Sequence, residues 1–256
     1  MRIARYRHDG EVRYGVLEND VLHRIGGAPW QSLERTGASD RLDAVSLLCP
    51  VDEPRIFGVG LNYVAHIQES GAKTPKIPLL FIKPSTSAIG PGEPIVYPRE
   101  GKNVHFEAEL AVVIGRAGRR IPPSQALDHV LGYTCANDVS ERVIQTAEMA
   151  QGALLMGKGY DGFCPIGPYI STGLDPSNLH VGAKVNGEER QSSSTSDLLF
   201  SVRDLVAYLS TAMTLRPGDV IITGTPSGVG PILPGDVVEI EVEGVGVLSN
   251  PVVAEQ

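Results

Sequence analysis

The chain reads as a β-rich α+β protein, with a small N-terminal β domain over residues 1–52 and a larger domain over residues 53–256. Three observations predict this. Short β-like runs separated by tight turns fill about the first 26 residues. Glycine and proline, 29 and 19 in number, punctuate the remainder. Helical periodicity there is confined to a few short stretches.

In chain order, residues 3–6, 12–17 and 21–25 alternate with turns at Asp9-Gly10 and Glu18-Asn19-Asp20, which predicts a meander. Residues 30–35 are expected to form a short helix. The texture changes after Pro50, and the boundary is placed near 52. Beyond it the spacing predicts helices over 63–70, 123–131, 141–149 and 201–213, packed on strands. Pro217-Gly218 and Pro234-Gly235 each mark a tight turn before an apolar strand, over 220–223 and 237–242. These are similar turns and not an internal repeat.

A chain of 256 residues, 42% hydrophobic and 20% charged, can bury a sizeable core. Its formal charge of -8, with Lys and Arg dispersed, argues against a nucleic-acid partner. The start, Met1-Arg2-Ile3-Ala4-Arg5-Tyr6-Arg7, has no apolar leader core, and no stretch approaches the ~20 apolar residues that span a bilayer. A soluble cytoplasmic protein with no membrane partner is expected. Cys49, Cys135 and Cys164 show no CxxC spacing, so buried free thiols are expected and not a disulfide frame or zinc knuckle.

The central stretch is His105-Phe106-Glu107-Ala108-Glu109-Leu110-Ala111-Val112-Val113-Ile114-Gly115, two acids ahead of an apolar β-branched run. On a strand, Glu107 and Glu109 share a face with Cα atoms roughly 7 Å apart, so both can reach one cation. On a helix they would diverge by about 200°. Two acids at alternate positions also mark the wet end of an ordinary strand. A second strand over 132–137 ends on Asp138, a third carboxylate, or simply runs into an Asn-Asp turn. Three carboxylates without Cys or His favour Mg²⁺ or Mn²⁺ over Zn²⁺. His105 shares the Glu107 face and is read as flanking the set.

Three further groups stand out. His66 and Glu69 lie at i and i+3 on the helix over 63–70, where a carboxylate can orient an imidazole base or form a plain surface pair. Lys158 is hemmed by Gly157 and Gly159, which permit close approach of a ligand or leave a flexible surface lysine. Thr223-Gly224-Thr225-Pro226-Ser227-Gly228-Val229-Gly230 matches neither a phosphate loop nor GxGxxG, though its amides and hydroxyls suit a carboxylate.

Together these groups resemble the fumarylacetoacetate hydrolase family. The motifs are Asn62-Tyr63-x-x-His66-x-x-Glu69, Phe81-Ile82-Lys83-Pro84, Ile89-Gly90-Pro91-Gly92, Phe106-Glu107-x-Glu109-Leu110, Asn137-Asp138-Val139-Ser140, Lys158, Asn186-Gly187, Arg190-Gln191 and the Thr223 loop. They span about residues 55–250. The resemblance implies a mixed β-roll or barrel catalytic domain behind a small N-terminal domain. It implies Mg²⁺ or Mn²⁺ on Glu107, Glu109 and Asp138, and a His66–Glu69 dyad on a mobile lid. Catalysis would fall to His66, Glu69 and Lys158, and substrate binding to Lys83, Gln191 and Thr225. The substrate would be a small 2-oxo acid, of the kind met in aromatic catabolism, and the protein a homodimer.

Two departures are visible. Relatives commonly read Ser-Ala-Arg-Asp where this chain has Ser140-Glu141-Arg142-Val143. Ahead of Lys158 stands Ala153-Leu154-Leu155-Met156, expected to line the pocket and make it more apolar. The leading expectation is hydrolytic C–C cleavage of an acylpyruvate, with His66 activating water. Decarboxylation of an oxaloacetate-like acid comes next, then isomerisation of a 2-hydroxydienoate. A noncatalytic metal-stabilised binding module would need the carboxylates but not His66, Glu69 or Lys158.

Overall fold

A computed structural model describes all 256 residues. The expected meander forms from β1 (Arg2–His8), β2 (Glu11–Glu18) and β3 (Val21–Ile25). Asp9 and Gly10 both take positive φ, 51° and 79°, which suits a tight hairpin turn. The helix expected over 30–35 does not form. That segment leads into β4 (Arg35–Arg41), antiparallel to β3 with Asp40 opposite Leu22. Trp30 packs edge-on against Tyr14 at 6.3 Å, and the Arg24 guanidinium grips Asp40, so partners on β2 and β3 override the local spacing.

The chain continues through β5 (Ser46–Leu47), β6 (Ile56–Gly60), α1 (Val64–Ser70), β7 (Leu79–Lys83), β8 (Ala88–Ile89), β9 (Ile95–Tyr97), β10 (Val104–Phe106) and β11 (Ala108–Ile114). Then follow β12 (Val130–Asn137), β13 (Ser140–Glu141), α2 (Arg142–Met149), β14 (Cys164–Ser171), β15 (His180–Val185) and β16 (Glu188–Ser194). Last come α3 (Val202–Ala212), β17 (Val220–Ile222), β18 (Gly230–Pro231), β19 (Val237–Val242) and β20 (Gly246–Ala254). The helix expected over 123–131 is a 3-10 segment, Pro123–His129, and Leu131 belongs to β12. The ladder between β12 and β11 claims those last residues. Ser201 starts α3 with a capping box: its hydroxyl accepts from the Asp204 N–H, and the Asp204 carboxylate accepts from the Ser201 N–H.

One twelve-stranded sheet runs β4-β3-β2-β1-β14-β12-β11-β17-β6-β7, with β5 and β8 as side branches on β1 and β14. A five-stranded sheet, β16-β15-β19-β20-β9, packs over it, and β13-β10-β18 form a third. Strand β11 is buried on both faces. Leu110, Val112 and Ile114 enter the larger core with α3 and β19, while Ala111 and Val113 enter a second cluster. This explains the unbroken apolar run, which is the signature of a two-sided strand. The second cluster also holds Ile3, Val16 and Cys49, so residues on both sides of position 52 share it. All three cysteines are buried and unpaired, and no helix is long and apolar enough to cross a membrane.

Candidate metal centre and active-site cavity

Strand register builds the acidic centre. In the β11–β12 ladder Ala108 faces Asn137 and Glu109 faces Ala136, so the next pair outward is Glu107 with Asp138. The Asp138 N–H donates to the Glu107 carbonyl at 2.9 Å, and the Glu107 N–H donates to the Asn137 side chain at 2.9 Å. Glu107 breaks regular pairing between β10 and β11, so the strand is interrupted where one unbroken strand was expected. The alternation nevertheless survives. Directly opposed residues and i, i+2 residues point to one side, which brings the three carboxylates together. Their oxygens lie within 4.8 Å of one another, all buried.

Two lysines and an arginine surround this charge. Lys158 Nζ donates to Glu107 Oε2 at 2.9 Å and to Asp138 Oδ2 at 2.6 Å, and stands 5.2 Å over the Phe81 ring. Lys83 Nζ donates to Asp138 Oδ1 at 2.5 Å and to the Val139 carbonyl at 3.1 Å. Arg142 Nη2 reaches Glu107 Oε1 at 2.6 Å. Burial pushes the Glu107 carboxyl up, but the Lys158 and Arg142 charges overcome it and hold it well below the ordinary range. No cation contacts Glu109 directly. Burial, then the charges of Asp138 and Glu107, raise it well above its ordinary value, although the Lys158 charge opposes them and the Gly224 N–H donates to it at 2.6 Å. The donor set is three hard oxygen ligands with one carboxyl uncompensated, which fits a hard divalent cation. His105 is not in the set. It binds Asn103 at 3.0 Å, and burial followed by the Arg142 charge lowers its pKa to about 4.

Helix α1 brings the dyad. His66 Nδ1 lies 3.1 Å from Glu69 Oε2, and Glu69 accepts from the Gly228 N–H at 3.2 Å. The loop after β17 closes the opposite side. Gly224 sits at φ +99°, and a Cβ there would meet Asn62 Cβ at 2.8 Å, so glycine is required. Asn62 bolts that loop to α1, donating to the Thr223 carbonyl at 2.7 Å.

Most of these groups face one cavity of about 310 Å³. His66, Glu107, Glu109, Asp138, Lys158 and Thr225 line it; Glu69, Lys83 and Gln191 do not. Gln191 stands behind Thr225, donating to its hydroxyl at 2.8 Å and accepting from the Ala108 N–H at 2.9 Å. Arg142 and Gln145 line the cavity from α2 and were assigned no role from sequence; their i, i+3 spacing just after Asp138 was the available signal. Of the segment expected to line the pocket, only Leu154 does, while Leu155 and Met156 are exposed. Their backbone turns them outward. Met149, Pro78, Leu79 and Leu80 complete an aliphatic wall. Glu141, one of the departures, is a buried cap: it accepts from the Lys102, Asn103 and Ile144 N–H groups at 3.0, 2.9 and 2.6 Å. Val143 is exposed.

Fold and acidic site together define the class. A sequence profile described as fumarylacetoacetate (FAA) hydrolase C-terminal matches residues 55–253, and one described as Rv2993c-like, N-terminal, matches residues 1–50. The chain belongs to the fumarylacetoacetate hydrolase family and is an enzyme of that family. It is similar to the mitochondrial oxaloacetate tautomerase fahd2 of Xenopus laevis, 44% identical over 220 residues, covering 82% of this chain and 69% of that one. The structure of 5-carboxymethyl-2-hydroxymuconate delta-isomerase from Mycobacterium smegmatis superposes with TM-score 0.93 at 44% identity over 100% of both chains. Maleylpyruvate hydrolase from Sphingobium sp. SYK-6, solved with manganese(II) and pyruvate, gives TM-score 0.82 at 33% identity over 100% of both chains.

Proposed function

We propose that this enzyme shifts a proton at the carbon beside the keto group of a 2-oxo acid, interconverting keto and enol forms. The observation that carries the reading is His66, which lines the same cavity as the acidic cluster while its Nδ1 is held 3.1 Å from Glu69 behind it. With Nδ1 turned to Glu69, Nε2 is the ring atom free to take a proton from carbon and return it to oxygen. Glu69 fixes the tautomer and balances the imidazolium charge. Glu107, Glu109 and Asp138 would hold Mg²⁺ or Mn²⁺. Such an ion supplies Lewis acidity beside the substrate's oxygens. Lys158 and Arg142 bring positive charge to the carboxylate end of the substrate, and Thr225, braced by Gln191, offers a hydroxyl. The aliphatic wall takes the far end of the acid.

Hydrolytic cleavage of an acylpyruvate is the second reading, favoured by the likeness to maleylpyruvate hydrolase. It ranks second because a second carbonyl needs its own hydrogen-bond donors, and the lining beyond the polar end is aliphatic. The test is a panel of oxaloacetate, 2-hydroxydienoates and acylpyruvates, assayed with Mg²⁺ for tautomerisation and for release of pyruvate or CO₂. Tautomerisation should be fastest, and His66→Ala should slow it about 10²- to 10⁴-fold. Faster pyruvate release from acylpyruvates, equally dependent on His66, would replace the first reading with the second. Undiminished turnover in His66→Ala would remove both.

A further inference from the structure

The loop that delivers Lys158 has an apolar anchor only at Leu154, since the side chains of Leu155 and Met156 point into solvent. What holds residues 155–157 is α2. The Glu148 carboxylate accepts three successive backbone N–H groups, from Leu155 at 3.2 Å, Met156 at 2.7 Å and Gly157 at 2.9 Å. Charge-assisted bonds of this kind are about twice as strong as neutral ones. The Glu148 carbonyl takes two more, from Gln151 at 2.8 Å and Ala153 at 3.0 Å, so the chain wraps round this one residue. The Gly157 carbonyl accepts from the Glu141 N–H at 2.8 Å. A Cβ at Gly157 would meet the Gln145 backbone N at 2.6 Å, so the loop lies flush on the helix. Burial raises the Glu148 carboxyl, yet the Gly157, Met156 and Leu155 amides outweigh it and hold it below the ordinary range, keeping it charged.

We propose that Glu148 is a positioning residue, which chelates the backbone of residues 155–157 and thereby fixes where the Lys158 ammonium meets Glu107 and Asp138. It touches neither the cavity nor the acidic cluster and acts only through the loop. Arg142 and Gln145 ride on the same helix, so one acid couples the cavity-facing side of α2 to the lysine opposite. The catalytic consequence rests on the function proposed for Lys158 above; the structural part does not.

The test compares the parent with Glu148→Ala, Glu148→Gln and the exposed control Val143→Ala, all loaded with Mg²⁺. Hydrogen exchange at the amides of residues 155–157 and acetylation of Lys158 by an amine-reactive ester are read by mass spectrometry, beside kcat and KM for 2-oxo acid turnover. Glu148→Ala should speed exchange at those amides roughly 10- to 100-fold, the loss expected for charge-assisted bonds of about 1.5–3 kcal/mol. Lys158 should become labelled. A small misplacement of a catalytic group costs up to about 10²-fold, so kcat should fall roughly 10- to 100-fold with KM far less changed. Glu148→Gln keeps one carbonyl acceptor and should lie between, which preserves the comparison if the alanine variant folds poorly. Val143→Ala should match the parent. Unchanged exchange and labelling in both Glu148 variants would overturn the inference. If exchange and labelling rise while Glu148→Ala and Lys158→Ala turn over like the parent, the positioning stands and the role given to Lys158 falls.

Discussion

Lys83 and Lys158 hold the two oxygens of a single buried carboxylate: Asp138 Oδ1 receives Lys83 Nζ at 2.5 Å and Oδ2 receives Lys158 Nζ at 2.6 Å. Only Lys158 faces the cavity. The two lysines therefore stand in different places around it, although both are 3% exposed or less.

Lys83→Met should act on stability before it acts on substrate. Removing one partner of a buried ion pair leaves the other charge under-compensated, a loss of roughly 3 kcal/mol that denaturant unfolding can read. The KM of the folded variant should change little. An unchanged unfolding midpoint with a strongly raised KM would instead make Lys83 a substrate-binding group.

Glu109→Gln separates fold from metal. The Glu109 carboxyl is pushed up by burial and by its acidic neighbours, so a neutral amide there should leave metal-free stability unchanged or slightly higher. Added Mg²⁺ should raise the Tm of the parent by mass action, and that rise should vanish in the variant together with turnover. Full activity in Glu109→Gln, or in parent protein treated with EDTA, would refute the assignment.

For residues 1–52 we propose a module of its own, whose edge is locked by Asp40. Asp40 accepts from Arg24 Nε at 2.7 Å and from the Tyr6 hydroxyl at 2.7 Å. The Arg24 hydrogen bond comes first in lowering its pKa from 3.8 to about 2. A carboxyl depressed on folding adds stability above its unfolded pKa and loses it as pH falls through the folded one. The contribution should thus fade between 3.8 and about 2. Thermal unfolding of the parent and Asp40→Asn should differ at about pH 5 and converge towards about pH 2. A gap that stays constant across that range would show that Asp40 acts by packing alone.

Much of this architecture was legible locally. The meander, α1, α2 and α3 follow from periodicity and capping, which operate within a few residues. Strand β4 was not legible: Arg35-Thr36-Gly37-Ala38-Ser39-Asp40-Arg41 holds no large apolar residue and has no apolar alternation to announce it. Its pairing with β3, and the Arg24–Asp40 contact across that pair, come from residues distant in the chain. The outward turn of Leu155 and Met156 was hidden for the same reason, since it depends on amides captured by Glu148.

By itself the sequence determined that Glu107 and Glu109 share a face, that Asp138 stands where a strand runs out and that His66 and Glu69 meet on one helix, because strand and helix periods are properties of the local backbone. Tertiary structure decided that Glu107 stands opposite Asp138, which is a matter of register between β11 and β12. It also decided which cations compensate which acids. Lys83, Arg142 and Lys158 come from separate parts of the chain, and only packing brings them to one buried point where desolvation makes each pairing matter. Residue type and spacing can nominate a ligand set, but the division between Lys158 at the cavity and Lys83 behind it is fixed by what carries each, a loop held against α2 for Lys158 and strand β7 for Lys83.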